Sequence, residues 1–354
     1  MVNLYVASIE PYSGKTSLCL ALGLHYQDRG LKVKYMKPVD ITGVKGGRSA
    51  GLDAAFIRQE LGLTDPAEWS SPLLLGPDTW EEALKAPLNT WTEKVLQAYK
   101  NLSQDCDLMI LGGTRDMTGG YALKLAANHI VALLDAKLLL LVNYRPNLPW
   151  DGILATKDSL EGRLIGFVVN NVPERLLDRL TGQMQRFSEY YGIPVLGVLP
   201  HAKLLSSISV NELARLLNGE ILVVTEKDQE LVENFSVGAM NVESALTYFR
   251  RTANKAVITG GDRADIQMAA LETDTKCLVL TGNLYPTPAV LAQAVDRGVP
   301  IIMVSTDTLT TVRKVEDELG HIRLHHERQI RLLREMVDSH LDFATLSKAL
   351  GLSV

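Results

Sequence analysis

The sequence predicts an α/β protein in which mostly parallel sheets carry helices on both faces. Three observations lead there. Short aliphatic strands alternate with helical patterns over most of the chain, as strand–helix–strand units require. The aliphatic share is large, and runs such as Leu138-Leu139-Leu140-Leu141-Val142 are continuously apolar, which suits strands buried on both sides. The N-terminal strand also leads through a short turn into Gly14-Lys15-Thr16 and then a helical pattern.

The elements follow in order. Residues 3–8 form the first strand. Residues 15–30 read as a helix with apolar Leu18, Leu20, Ala21, Leu22 and Leu24, closed by Arg29-Gly30. Further strands are expected at 32–36, 108–111, 138–142, 164–169 and 195–198. Near 200–206 the rhythm changes. Pro200-His201-Ala202-Lys203 reads as a linker, and Ser209 with Glu212 as the capping box of a short helix. A second series of strands follows at 220–224, 255–259, 277–281 and 301–304. From about 311 the chain is polar and helical, with Ile330, Leu333, Val337 and Leu341 at helical spacing. These changes divide the chain into residues 1–203, 204–325 and a helical tail, 326–354.

Composition narrows the classes. The chain has 354 residues, 46% hydrophobic and 22% charged, with a net charge of −5. That is ordinary globular composition without a global basic field, so no nucleic-acid partner is expected. No apolar run is long enough for a membrane span, and no signal peptide is read. The three cysteines, Cys19, Cys106 and Cys277, form no CxxC pair, so neither a zinc site nor a disulfide framework is expected. The default compartment is the cytoplasm.

The most informative stretch runs from Val6 to Ser17. A glycine at 14 lets backbone N–H groups approach phosphate oxygens, and the following helix start adds a favourable dipole. Lys15 can reach β- and γ-phosphates, and the Thr16 hydroxyl suits Mg²⁺. Ser13, Gly14, Lys15, Thr16 and Ser17 are therefore the expected nucleotide-binding residues. The first glycine of GxxxxGK[ST] is missing, because Ile9 stands there.

The loop from Ser8 to Thr16 resembles the longer phosphate loop of dethiobiotin synthetase, with Ser8 at that family's first glycine. Glu10 occupies the place where partition-type ATPases carry an extra lysine, which argues against them. Tyr35-Met36-Lys37-Pro38-Val39, Gly51-Leu52-Asp53-Ala54, Gly166-Phe167-Val168-Val169-Asn170-Asn171 and Ile193–Pro200 resemble further segments of that family, in its order. The resemblance covers residues 1–203. It implies that Lys37 faces the γ-phosphate in a catalytic role with Lys15, that Asp53 helps hold Mg²⁺ with Thr16, and that Asn170 reads adenine. The expected cofactors are ATP and Mg²⁺.

One position departs. The family has a metal-serving acid at the end of the third strand, where this chain has Gly112, and Asp116 four residues on reads as a solvated loop residue. The chain is more similar to the dethiobiotin-synthetase-like domain that precedes the catalytic domain of long phosphate acetyltransferases. Residues 205–325 resemble the DRTGG domain on Ile258-Thr259-Gly260-Gly261-Asp262-Arg263. There the glycines permit a tight turn, Asp262 can cap the next helix, and Arg263 can meet an anion or a neighbouring subunit. This junction and Thr281–Pro286 are read either as structural turns or as a second ligand site. The family's DRTGG domain tends to dimerise, which implies a homodimer. His321, His325 and His326 read as exposed helix residues, not metal ligands.

Three functions remain open at this stage. The first is an ATP-binding regulatory protein with at most slow hydrolysis. The second is an ATP-dependent ligase working through a carboxyl- or carbamoyl-phosphate. The third is a scaffold whose loop is a relic. No acetyltransferase domain has room within the 354 residues.

Overall fold

The computed structural model describes residues 1–41, 51–77, 79–160, 162–224, 230–319 and 326–353. The chain divides into two compact units. One combines Met1–His201 with His326–Val354, and the other spans Ala202–His325.

The first unit is built on a six-stranded, wholly parallel sheet. Its spatial order is Val33–Met36, Leu108–Gly112, Val2–Ser8, Lys137–Asn143, Leu164–Val172 and Val195–Pro200. The chain leaves the first strand to one side and returns on the other, so strand order reverses at Val2–Ser8. In open α/β sheets ligands bind at that place, beyond the carboxyl ends of the strands. Alternation along the strand sends Tyr5 and Ala7 to one face and Leu4 and Val6 to the other. The Tyr5 face is covered by the helices Leu88–Leu102, Ala127–Leu133, Trp150–Ser159 and Leu177–Tyr191, which supply Val95, Ile130, Ile153 and Met184 to the core. The opposite face carries the helix Lys15–Asp28, which packs on the Val2–Ser8, Val33–Met36 and Leu108–Gly112 strands. That helix stops at Asp28, two residues before the expected end, and Gly30 takes φ +82° just beyond it.

The C-terminal helices Glu327–His340 and Phe343–Leu350 complete this face. The His25 ring stacks on Phe343 with centroids 3.3 Å apart. His25 Nδ1 lies 2.7 Å from Asp338 Oδ1, and the Tyr26 and Ser347 hydroxyls are 3.0 Å apart. Asp342 N donates to Leu196 O at 2.7 Å, joining the turn between the two helices to the last strand. The apolar stripe read in the sequence thus finds its partner in the first unit, and Leu333, Val337 and Leu346 are buried.

The second unit holds a five-stranded sheet in the order Glu220–Val223, Ile301–Met303, Thr275–Thr281, Lys255–Gly260 and Asn234–Val237. The Glu220–Val223 edge strand is antiparallel and the rest are parallel. Helix Val210–Leu217 packs on one face, and Val242–Arg251, Ala264–Leu271 and Pro288–Arg297 on the other. Ser209 and Glu212 form the expected capping box. The strand Asn234–Val237 was not expected from the sequence. Its four residues are only half-buried at the sheet edge, so no apolar run marks it.

Lys255 is fully buried in this unit. Its ammonium donates to Thr273 Oγ1 at 3.0 Å and Asp274 O at 2.8 Å, and stands 5.7 Å from the centre of the Phe249 ring. Burial lowers its pKa to about 8, against the pull of the Asp274 carboxylate.

Two predictions follow from this packing. Leu346→Ala should cost about 2–5 kcal/mol, the usual range for a buried leucine, and should raise hydrogen exchange in the C-terminal helices before the rest of the first unit. Unchanged exchange there would contradict the docking described above. Between pH 8 and 10.5 the unfolded chain holds the Lys255 proton and the folded one does not. Stability of the second unit should therefore rise across that window. In Lys255→Met the rise should flatten, as read by urea unfolding at several pH values.

Candidate functional site

The loop after the first strand lies at the reversal point of the sheet. Its shape depends on Gly14, which caps the helix Lys15–Asp28 at φ +93°. A Cβ at that position would lie 2.7 Å from Asn170 Nδ2, so both backbone angle and space require glycine. No side chain caps this helix, which leaves its first N–H groups facing the loop. Glu10 anchors the loop's outer arm. Its carboxylate accepts from Asn143 N at 3.1 Å and pairs with Arg145.

Lys15 turns back into the loop. Its ammonium donates to Ser8 Oγ at 2.6 Å and Arg115 O at 3.1 Å, with Glu10 O at 3.5 Å. Ser8 in turn donates to Glu10 O at 2.5 Å. Among the described residues no carboxylate pairs with Lys15. Burial, reinforced by the neighbouring Lys37 charge, lowers its pKa to about 8. Ser13 is fully buried, and its Oγ has no partner among the described residues. Thr16 and Ser17 stand in the first helical turn. Asn170, at the end of the fifth sheet strand, donates from Nδ2 to Ser13 O at 2.9 Å. The residues expected to bind a nucleotide thus meet in one place, with Asn170 bracing the loop from below.

Lys37 has the opposite surroundings. It follows the strand Val33–Met36 and pairs with Asp40 Oδ1 at 2.7 Å and Asp53 Oδ2 at 2.8 Å. Burial pulls its pKa down, but the two carboxylates outweigh this and hold it above the ordinary lysine value. The structure thus joins the expected pair Lys37 and Asp53 to each other. It adds Asp40, which the sequence reading missed. The only signal was an acid three residues after the lysine in Lys37-Pro38-Val39-Asp40.

The third sheet strand ends on Gly112, and the place of a side chain there is filled. A Cβ on Gly112 would lie 2.3 Å from the Tyr35 hydroxyl and 3.1 Å from Tyr35 Cζ. Burial holds the Tyr35 phenol well above its usual pKa. The loop beyond this strand does fold back, since Arg115 O reaches Lys15. Asp116 is correspondingly half-buried rather than simply solvated. Its Oδ1 accepts from Thr118 N at 2.8 Å, Thr118 Oγ1 at 2.7 Å and Gly119 N at 3.0 Å. Burial alone would raise its pKa, but these donors and the Lys15 charge hold it below the usual range. Among the described residues, no group of three or more His, Cys, Asp or Glu is placed to hold a metal.

In the second unit the glycine turn is confirmed by close approach. A Cβ on Gly261 would lie 2.1 Å from Leu284 O, which joins the two junctions read in the sequence. The expected Asp262 cap does not form. The helix Ala264–Leu271 starts from Arg263 without a side-chain cap. Arg263 is engaged by its own unit, donating from Nε and Nη2 to Asp265 at 3.0 and 3.1 Å and to Met240 O at 3.0 Å. His321 and His325 lie outside the described residues. His326 precedes helix Glu327–His340, and its N–H donates to Gln329 Oε1 at 3.2 Å.

A parallel sheet with a lysine-bearing glycine loop between strand and helix, at the reversal of strand order, defines a P-loop fold. Residues 2–209 match the family model of an AAA domain (AAA_26), and residues 212–317 match the DRTGG domain. The chain belongs to the AAA_26 family and carries a DRTGG domain after its P-loop domain. It is 23% identical to the phosphate acetyltransferase of a Synechocystis species, over 89% of this chain and 47% of that protein. It is 26% identical to the ATP-dependent dethiobiotin synthetase of Methanococcus vannielii, over 48% of this chain and 80% of that protein. The similarity is to the N-terminal region of long phosphate acetyltransferases, and the chain spans about half the length of those it matches. Among solved structures, the CBS and DRTGG domains of the regulatory region of Clostridium perfringens pyrophosphatase match with a TM-score of 0.30 and 21% identity, over 41% of this chain and 74% of that one. No helix among the described residues is long and apolar enough to cross a membrane.

The contact between residues 35 and 112 is directly testable. Gly112→Ala should cost about 1–3 kcal/mol through overpacking, and adding Tyr35→Phe should restore most of it. A cost that Tyr35→Phe leaves untouched in urea unfolding would show that the hydroxyl does not fill that space.

Proposed function

We propose that the first unit binds ATP with Mg²⁺ at the 8–17 loop and acts as a regulatory nucleotide-binding module. One observation carries this reading. Lys15 is a half-buried cation whose hydrogen-bond partners are neutral oxygens. Burying charge without a counter-charge is costly, and an arriving phosphate would relieve that cost. Phosphate oxygens would take the places of Ser8 Oγ and Glu10 O, while Gly14 and the uncapped helix start supply N–H donors.

The residues present fit a nucleotide's phosphates. They fit Mg²⁺ in the way this ion is usually held, by phosphate oxygens and a small number of protein groups. Thr16 would be one such group, and Asp53, which pairs with Lys37 through Oδ2, would be the other through Oδ1. When bound, the ion would neutralise and orient phosphate oxygens. The chain's own part is to place Lys15, Thr16 and the loop N–H groups around the phosphates, with Asn170 behind the loop at the nucleoside end. Efficient phosphoryl transfer depends on positioned acids. The strand-end acid is replaced by Gly112, and Lys37 is held by two carboxylates. Both features support binding over turnover. The DRTGG domain is the proposed seat of a second ligand or of self-association, by which nucleotide binding would be passed on in the cytoplasm.

Calorimetry with ATP and Mg²⁺ tests this reading. Nucleotide at ~100 Kd should stabilise the first unit by about 2.7 kcal/mol. Lys15→Ala should weaken binding about 10- to 150-fold, the worth of a charged hydrogen bond of about 1.5–3 kcal/mol. No heat and no melting shift at millimolar ATP would leave the scaffold reading in its place. ADP release that requires an added amine or carboxylic acid would favour the ligase.

A further inference from the structure

We propose that Asp40 is a positioning residue that keeps Lys37 off the phosphate site until the terminal phosphate of a nucleotide competes for it. This rests on the nucleotide-binding reading above and adds a control to the same site.

Asp40 is built to hold. Its side chain is 9% exposed and that of Lys37 11%. One carboxylate oxygen, Oδ1, takes the Lys37 ammonium at 2.7 Å. The other, Oδ2, accepts from Gly51 N at 2.8 Å, and Gly51 is the N-cap of the helix Leu52–Glu60, which carries Asp53. The backbone is fixed as well, with Asp40 N donating to Leu73 O at 2.8 Å and Lys37 N to Ser70 O at 2.7 Å. Asp40 therefore links the strand end that bears Lys37 to the helix start that bears Asp53. It brings the ammonium and the second carboxylate, 2.8 Å apart, into one closed cluster.

The distribution of charge gives this cluster a consequence. The strand that leads into Lys37 stands next but one to Val2–Ser8 in the sheet, and the Lys37 charge disfavours that of Lys15. Lys37 pairs directly with two carboxylates and Lys15 with none among the described residues. A diphosphate that satisfies Lys15 leaves the Lys37 cluster intact. A third phosphate brings enough added negative charge to draw Lys37 away from Asp40. The cost of that transfer sets how well the chain distinguishes ATP from ADP. With Asp40 present much of the γ-phosphate's attraction for Lys37 is spent on breaking the pair. Without the Asp40 charge, Lys37 keeps one carboxylate partner among the described residues, Asp53, and moves more readily. Side-chain shape is preserved in Asp40→Asn, whose amide oxygen can still accept from Gly51 N.

The experiment measures ATP and ADP affinities, both with Mg²⁺, for four full-length chains: wild type, Asp40→Asn, Lys37→Met and the double variant. The expected result is that Asp40→Asn raises the preference for ATP over ADP about ten-fold while leaving ADP affinity unchanged. In the Lys37→Met background Asp40→Asn should have no effect on that preference. Asp40→Glu, which keeps the charge, should stay near the wild-type ratio. A purely structural role would change ATP and ADP binding together, and that result overturns the inference. So does an unchanged ratio, or a changed ratio that persists without Lys37. In each of these cases wild-type ATP binding still stands. If wild type binds neither nucleotide, the nucleotide-binding reading fails and takes this inference with it.

Discussion

A cation whose hydrogen-bond partners among the described residues are all neutral oxygens is the constraint around which the first unit is arranged. Placing Lys15 in that state requires a rigid setting, because a flexible lysine would move to water or to a carboxylate. The parallel sheet provides the rigidity. Strand ends on both sides of Val2–Ser8 bring Asn143, Asn170 and the Gly112–Arg115 segment around the loop. Glu10 spends its charge on Arg145 and the Asn143 N–H, so the acid nearest in sequence is not available to Lys15. Gly14 then sets the angle at which the helix leaves.

The two lysines show how one site can divide its electrostatics. Lys15 lies among neutral oxygens and Lys37 among carboxylates. This arrangement depends on the crowded strand ends. Tyr35 fills the space beside Gly112 where a side chain would otherwise stand. The acids that pair with Lys37 come from the segment after the neighbouring strand, as Asp40, and from the helix that follows, as Asp53. Their first effect is on that lysine, which they hold charged.

Much of this was legible in the sequence, for identifiable reasons. The strand–loop–helix of residues 2–28, the strands of both sheets apart from Asn234–Val237, and the Ser209–Glu212 box are local patterns whose causes lie within a few residues. The glycine turn at Gly260-Gly261 was also legible, although the contact that requires glycine comes from Leu284, more than twenty residues on. What failed depended on distant packing. Asp262 was expected as a cap because of its residue type, but the N-cap position falls one residue later, on Arg263. The partner of the C-terminal apolar stripe could not be read, since helical spacing identifies a buried face but not its neighbour. The filling of the Gly112 position by Tyr35 had no local signal at all. It arises because residues 36 and 111 pair across strands.

The helix Lys15–Asp28 has one end at the phosphate loop and the other against residues made some three hundred positions later. During synthesis its N-terminal half can settle on the sheet while His25 and Tyr26 still lack Phe343 and Ser347. The whole DRTGG domain leaves the ribosome in that interval. The first unit is therefore completed only after the second has been made. Until the C-terminal helices arrive, the face of the helix Lys15–Asp28 that they cover stays exposed in the nascent chain.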